Sequence, residues 1–287
     1  MKGTVVKFTK MHGCGNDYIY VYEPHLPMFN PVDAAIRWSR FHTGIGSDGL
    51  ILIGKSDVAD FSMRIFNSDG SEAMMCGNGI RCVGKFVRDF HLTEASTVTV
   101  DTRSGVKTLR LFENEQGEVT SAEVDMGAPV MENVAQLNTP TGGLLRGQLP
   151  AADSSLPTCV GTFVSMGNPH FVMFVDDVDD VDVATVGRLL EHHPIFPEGC
   201  NIEFAQLRSD GSIRMRVWER GSGITMACGT GACATAVAAI LEGRVGRSQD
   251  VVVEMDGGTL SVRWDETDGH VYMTGPAVHV YDGEISI

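Results

Sequence analysis

Two cysteines, Cys76 and Cys228, open near-identical segments, Cys76-Gly77-Asn78-Gly79 and Cys228-Gly229-Thr230-Gly231. A free thiol has a pKa near 8.5, so little of it is thiolate at neutral pH. A helix start supplies amides outside the helical ladder and the positive end of the dipole, both of which lower a cysteine pKa. The glycines let backbone approach a ligand closely, and helix-start amides hold anions such as carboxylates. Each segment therefore predicts a base with a depressed pKa beside a carboxylate nest. If the two thiols flank one substrate carbon, one thiolate removes the α-proton while the other thiol delivers a proton to the opposite face. That chemistry is racemisation or epimerisation without a cofactor. Amides on the substrate carboxylate stabilise the planar intermediate, each oriented donor being worth about 2.7–4 kcal/mol.

The elements that must position these cysteines repeat along the chain. Cys76 and Cys228 are 152 residues apart (228 − 76), the same offset that relates Met63-Arg64 to Met215-Arg216, Met74 to Met226, and Gly15-Asn16 to Gly167-Asn168. Residues 61–66 and 212–218 alternate apolar and polar side chains, which predicts a half-buried strand before each glycine-rich loop. Ile80, Val83, Val87 and Phe90 fall at helical spacing on one apolar face, whereas Ala232 to Leu241 is apolar nearly all round. Strands at 96–101 and 251–255 follow, and shorter surface helices are expected near 32–41 and 182–191. The predicted fold is α+β: two pseudo-symmetric domains, each a curved mixed β-sheet (barrel-like) wrapped around a central helix. The halves are residues 1–130, carrying Cys76, and 131–275, carrying Cys228. The Pro-, Gly- and Thr-rich region 131–157 is the crossover, and residues 276–287, with a strand at Val278–Tyr281, are expected to return to the first half.

Composition narrows the function classes. The 287 residues are 43% hydrophobic and 21% charged, ordinary for a globular chain with a substantial core. A net charge of −15 with no basic run argues against nucleic-acid binding. No apolar run approaches about 18 residues and the amino terminus alternates, so neither a membrane span nor a signal peptide is expected, and the location is read as cytoplasmic. Seven cysteines with no CxxC pair argue against a disulfide framework or a zinc ribbon. Cys14, Cys82, Cys159, Cys200 and Cys233 read as small core residues. The histidines other than His170 show no metal-ligand spacing, and the acidic run Asp176–Asp182 reads as a solvated turn.

The segments HGCGNDY (12–18), FNSDGSEAMMCGNGIRC (66–82), GNPH (167–170) and ERGSGITMACGTGAC (219–233) resemble those of diaminopimelate epimerases, in the same order and over nearly the whole chain. The resemblance implies two pseudo-symmetric domains with an active site in the cleft between them. It implies interconversion of LL- and meso-diaminopimelate, on the route to lysine and peptidoglycan, with no cofactor and no metal. By motif, Cys76 and Cys228 are the acid–base pair, and His170 and Glu219 lie near the reacting centre. Asn16, Asn67, Asn168, Asn201, Glu219 and Arg220 bind the substrate, while Gly77-Asn78 and Gly229-Thr230 hold its reacting carboxylate. Gly49, repeat partner of Asn201 (201 − 49 = 152), stands where some members carry Gln, and Ile224 where many carry Glu. A homodimer with Tyr281 near its contact is also implied. Two rival readings use the same cysteines: a proline or hydroxyproline racemase, and a thiol redox or metal-binding protein.

Overall fold

The alternation at 61–67 turns Phe61, Met63 and Ile65 into the core and leaves Arg64 in solvent, and at 213–219 it buries Ile213, Met215 and Val217. In the computed structural model, which describes residues 5–23, 30–149 and 158–287, these two strands sit in separate units. One unit comprises Met1–Val124 with Thr274–Ile287, the other Asp125–Met273. Residues 150–157 of the expected crossover lie outside the described residues.

The first unit runs β1 (Val5–Gly13), β2 (Asn16–Tyr22), α1 (Pro31–Trp38), β3 (Gly49–Gly54), β4 (Phe61–Asn67), β5 (Glu72–Ala73), α2 (Gly77–Asp89), β6 (Thr97–Thr102), β7 (Gly105–Glu113) and β8 (Val119–Asp125). The second opens with β9 (Gly147–Gln148) and repeats the plan with β10 (Val160–Ser165), β11 (Pro169–Phe174), α3 (Val183–Glu191), β12 (Asn201–Leu207), β13 (Ile213–Glu219), β14 (Gly223–Ile224), α4 (Gly229–Leu241), β15 (Val251–Met255) and β16 (Gly258–Trp264). Then come β17 (Val271–Pro276) and β18 (Val278–Ser286), the latter antiparallel to β1 from Val5↔Ser286 to His12↔Val278.

Register carries the repeat into three dimensions. Tyr18 pairs with Gly49 across parallel β2 and β3, and His170 pairs with Asn201 across parallel β11 and β12, each partner 152 residues on (170 − 18, 201 − 49). In both units an antiparallel strand follows (β4, β13), which pairs in parallel with the strand after the long helix (β6, β15). The hairpins ahead of this plan differ. Cys14 and Gly15, at φ 53° and 78°, make a two-residue turn between β1 and β2, whereas β10 and β11 are joined by three residues after Ser165↔Pro169.

β3 (GLILIG) is buried at every position, as is β12 from Asn201 to Ala205, because β12 is covered by α3 and α4. The long helices are the buried centres of their units. In α4 this follows from an alanine-rich sequence. In α2 burial extends beyond the apolar face to Arg81 and Lys85: Lys85 Nζ donates to Val119 O at 2.6 Å and pairs with Asp89. Phe90 is not on that buried face; it is 45% exposed beyond the helix end and stacks on Phe86 at 4.4 Å. Among the described residues no helix is long and apolar enough to cross a membrane.

Candidate active site

Cys76 is the N-cap of α2, with extended backbone (φ −133°, ψ 120°), and its Sγ accepts the Gly79 amide at 3.4 Å. Cysteine is unusual here, where oxygen side chains usually cap. At Gly79 a Cβ would lie 2.7 Å from Ile51 Cδ1, so the helix start packs closely on β3. Cys76 Sγ also donates to Asn16 Oδ1 at 3.3 Å, which the Asn78 amide approaches at 3.5 Å. Asn16 is oriented by Asp48, whose Oδ2 accepts from Asn16 Nδ2 at 2.7 Å and from the Asp17 amide at 3.0 Å. A carboxylate only accepts, so Nδ2 must face it and Oδ1 must face the thiol. Burial raises the Asp48 pKa, against the pull of the Asp17 amide. Tyr18 hydrogen-bonds with Cys76 and Asn16, and burial, then the neighbouring Cys76 and Asp48, keep its hydroxyl protonated. The fully buried Arg81 braces the helix start, reaching Gly77 O and Asn78 Oδ1, both at 2.9 Å.

Cys228 caps α4 in the same way (φ −123°, ψ 110°), accepting the Gly231 amide at 3.4 Å. Its Sγ lies 3.5 Å from Thr230 Oγ1, which accepts from Asn168 Nδ2 at 3.3 Å. Asn168 Oδ1 faces His170 Nε2 at 3.1 Å, and His170 Nδ1 meets Glu203 Oε1 at 2.6 Å. His170 and Glu203 are both fully buried, and Glu203 Oε2 has no hydrogen-bond partner among the described residues. Burial raises the Glu203 pKa; the His170 ring opposes this and Glu219 adds to it.

The expectation of a depressed thiol pKa is corrected at Cys228. Burial, then the charge of Glu219, push it well above its ordinary value, outweighing the downward pull of Thr230 and the Gly231 amide. Helix-start amides favour the thiolate, but desolvation of a buried anion costs more than they return.

The remaining residues singled out in sequence divide into two groups. Asn16 and Asn78 join Cys76, while Asn168, His170 and Thr230 join Cys228, with Glu219 acting on that thiol through its charge. Asn67, by contrast, closes β4 by donating to Ser71 Oγ at 3.0 Å. Asn201 is spent on backbone, donating to Pro169 O at 2.8 Å and accepting from Arg220 N at 3.0 Å, and so ties β11 to the end of β13. Arg220 reaches Glu198 O at 3.1 Å. Glu219 is held by the Thr225 hydroxyl. Gly49 has no room for a side chain: a Cβ would stand 2.2 Å from Phe66 O. Sequence reasoning missed Asp48, Tyr18, Glu191 and Glu203. Glu191 braces the β13–β14 turn, accepting from Gly221 N at 2.8 Å and Trp218 Nε1 at 2.7 Å. The available signal for Glu203 was a carboxylate in an otherwise apolar strand (NIEFAQL); for Tyr18 it was its place 152 residues before His170.

The family model described as diaminopimelate epimerase matches residues 8–132 and 162–280. A diaminopimelate epimerase of Phocaeicola vulgatus is 57% identical, covering 99% of this chain and 99% of that protein. One from Bacteroides thetaiotaomicron is 55% identical with 98% of each covered, and one from Methanococcus maripaludis 49% identical with 98% and 100% covered. Among solved structures, a hydroxyproline epimerase from Agrobacterium vitis with bound trans-4-hydroxy-L-proline superposes with a TM-score of 0.71 at 16% identity, covering 100% of this chain and 94% of that one. A Bacillus anthracis protein of the PhzF family gives 0.72 at 18% identity, with 99% and 100% covered. At such identities the likeness is one of fold.

Proposed function

The chain belongs to the diaminopimelate epimerase family, and on that premise we propose that Cys76 and Cys228 are the two acid–base groups with which it epimerises LL-diaminopimelate to the meso form. Inverting one α-carbon requires a proton taken from one face and another delivered to the opposite face. The observation that carries the assignment is that each repeat presents a cysteine as the N-cap of its buried helix, 152 residues apart (228 − 76). The thiolate form of either gains from the amide at the third helical position, and the amides ahead of it suit the substrate carboxylate. A correctly placed acid or base is worth about 10²–10⁴ in rate, so both are needed for so weak a carbon acid. Asn16, Asn78, Asn168, Thr230 and His170 orient the sulfurs, and Glu219, Arg220, Asn67 and Asn201 shape the ends that receive the substrate.

The deciding experiment is proton NMR of LL-diaminopimelate with reduced protein in D2O and no added cofactor. Loss of the α-proton signal with appearance of the meso isomer supports the reading. Exchange that persists unchanged in both Cys76→Ala and Cys228→Ala defeats the cysteine assignment. We further propose a cytoplasmic homodimer that serves lysine and peptidoglycan synthesis. Val278, Val280 and Tyr281 of β18 are 38%, 50% and 42% exposed, which supports a contact there. Sedimentation of wild type against Tyr281→Ala checks it.

A further inference from the structure

The side chains from Glu203 to Cys228 form a chain of four contacts: Glu203 to His170 at 2.6 Å, His170 to Asn168 at 3.1 Å, Asn168 to Thr230 at 3.3 Å, and Thr230 to Cys228 at 3.5 Å. Each intermediate has one donor and one acceptor end in use, so the direction of one bond dictates the next. The group at the far end sets that direction. Glu203 is fully buried in β12, beside α4: a Cβ on Gly231 would lie 2.9 Å from its Oε1. Its Oε2 has no hydrogen-bond partner among the described residues. An ionised carboxylate bare on one oxygen, beside a buried imidazolium, carries a desolvation cost of several kcal/mol per ion. The neutral pair leaves only one carbonyl-like oxygen unsatisfied, at about 1–3 kcal/mol.

We propose that Glu203 is a positioning residue for the epimerisation: its carboxyl proton donates to His170 Nδ1 and so aligns every hydrogen bond in the chain toward the Cys228 sulfur. His170 then carries its proton on Nε2 and donates to Asn168 Oδ1. Asn168 Nδ2 donates to Thr230, and the Thr230 hydroxyl donates to Cys228 Sγ. The last bond stabilises the thiolate that Cys228 becomes when it gives up its proton, against the burial and the Glu219 charge that resist this. The first unit has the opposite end group. There Asp48 accepts from Asn16, Asn16 accepts from Cys76, and Ile51 occupies the position equivalent to Glu203 (203 − 51 = 152). The titratable groups around the pair are His170 on β11, Cys200 just ahead of β12, Glu219 at the end of β13, and Cys228 at the α4 start; Arg220 acts on Cys200.

The inference rests on Cys228 being one of the acid–base groups, which Cys228→Ala tests separately. Its own test is the rate of alkylation by iodoacetamide at Cys228, read by peptide mass spectrometry against Cys76 in the same sample, which requires no turnover. In Glu203→Leu, Cys228 alkylation near pH 8 and kcat each fall about tenfold while KM and Cys76 hold, within the range expected when a supporting hydrogen bond is lost. Glu203→Gln, whose amide also donates to Nδ1, restores both to within about twofold. Thr230→Val removes the same terminal donor from the other end and repeats the selective loss without disturbing the buried pair. Wild-type behaviour of Glu203→Leu and Thr230→Val overturns the proposal. So does equal slowing at both cysteines, or a Gln variant as impaired as Leu.

Discussion

Tyr18 and His170 occupy the same station in the two units, each paired in parallel with the residue 31 positions later (Gly49, Asn201) and each two residues after an asparagine that approaches the cysteine cap. The same backbone position thus carries a phenol in one half and an imidazole in the other. The phenol bonds with Cys76 itself, whereas the imidazole acts on Cys228 through Asn168 and Thr230. The substitution tracks the neighbour across the sheet. Tyr18 lies against Gly49, where a Cβ would come within 3.0 Å of its ring, so that a glycine makes room for the larger side chain.

Replacing Tyr18 with Phe therefore removes one hydroxyl from the Cys76 group while keeping the ring that fills the space. A hydrogen bond to a charged group is worth about 1.5–3 kcal/mol, or roughly ten- to a hundredfold in rate if it is made to the thiolate. The expected result is a fall in kcat of that order with KM little changed and the urea midpoint within experimental scatter of wild type. Steady-state kinetics with unfolding curves checks it, and a Tyr18→Phe enzyme with full kcat rejects a part for the hydroxyl in the chemistry.

Cys76→Ala and Cys228→Ala each reduce epimerisation by at least about 10²–10⁴, the range for losing one acid or base. Both variants keep their secondary structure, since the helix starts retain their glycines and the loss is a single sulfur. Circular dichroism paired with the NMR assay separates chemistry from folding. A single variant retaining near-normal turnover removes the two-base mechanism.

Much of this site was legible in the sequence because it was written twice. A helix opened by Cys-Gly-x-Gly after an alternating strand is a local pattern, and the constant offset of 152 residues marks its partner (228 − 76). What was not legible depends on burial. In α2, Arg81 and Lys85 look like a polar face, yet both are buried because their heads find Gly77 O, Asn78 and Val119 O. Glu203 is a carboxylate in a largely apolar strand, and because β12 is covered by α3 and α4 its carboxyl is drawn inside to His170. The thiol pKa failed for the same reason: a sequence shows the helix start that pulls Cys228 down and hides the burial that pushes it up. The clamp that the Asn201 amide makes between Pro169 O and the Arg220 amide was equally hidden, because it depends on which strands lie side by side.

Gly49 gives a prediction about packing. Its missing side chain would meet Phe66 O at 2.2 Å and Asn67 Cα at 3.1 Å, both backbone, so nothing flexible can yield. Gly49→Ala forces β3 and β4 apart next to Asn67 and costs about 1–3 kcal/mol, the usual range for overpacking a core. Gly49→Asn, which imitates the other unit at Asn201, costs at least as much and creates no new contact. Urea unfolding measures both, and an unchanged midpoint for Gly49→Asn contradicts the packing argument.

Alkaline pH destabilises the protein through its buried thiols. Burial raises Cys14, Cys200 and Cys228 above the ordinary value, and raises Cys82 to about 11 despite the nearby Arg81 charge and a hydrogen bond from Tyr20. A thiol whose folded pKa lies above its unfolded value holds its proton longer in the folded state. Stability is then fully present below the unfolded pKa near 9 and declines as pH rises toward the folded value. For Cys82 the interval from 9.0 to about 11 corresponds to on the order of 2–3 kcal/mol. Cys82→Ala starts from a lower midpoint, because it leaves a small cavity, but loses less on going from about pH 8.5 to about pH 10.5. Urea midpoints across that range, for both proteins under reducing conditions, measure the two slopes. Parallel slopes show that Cys82 titrates alike in the folded and unfolded chain, which a thiol buried on α2 against Tyr20 cannot do.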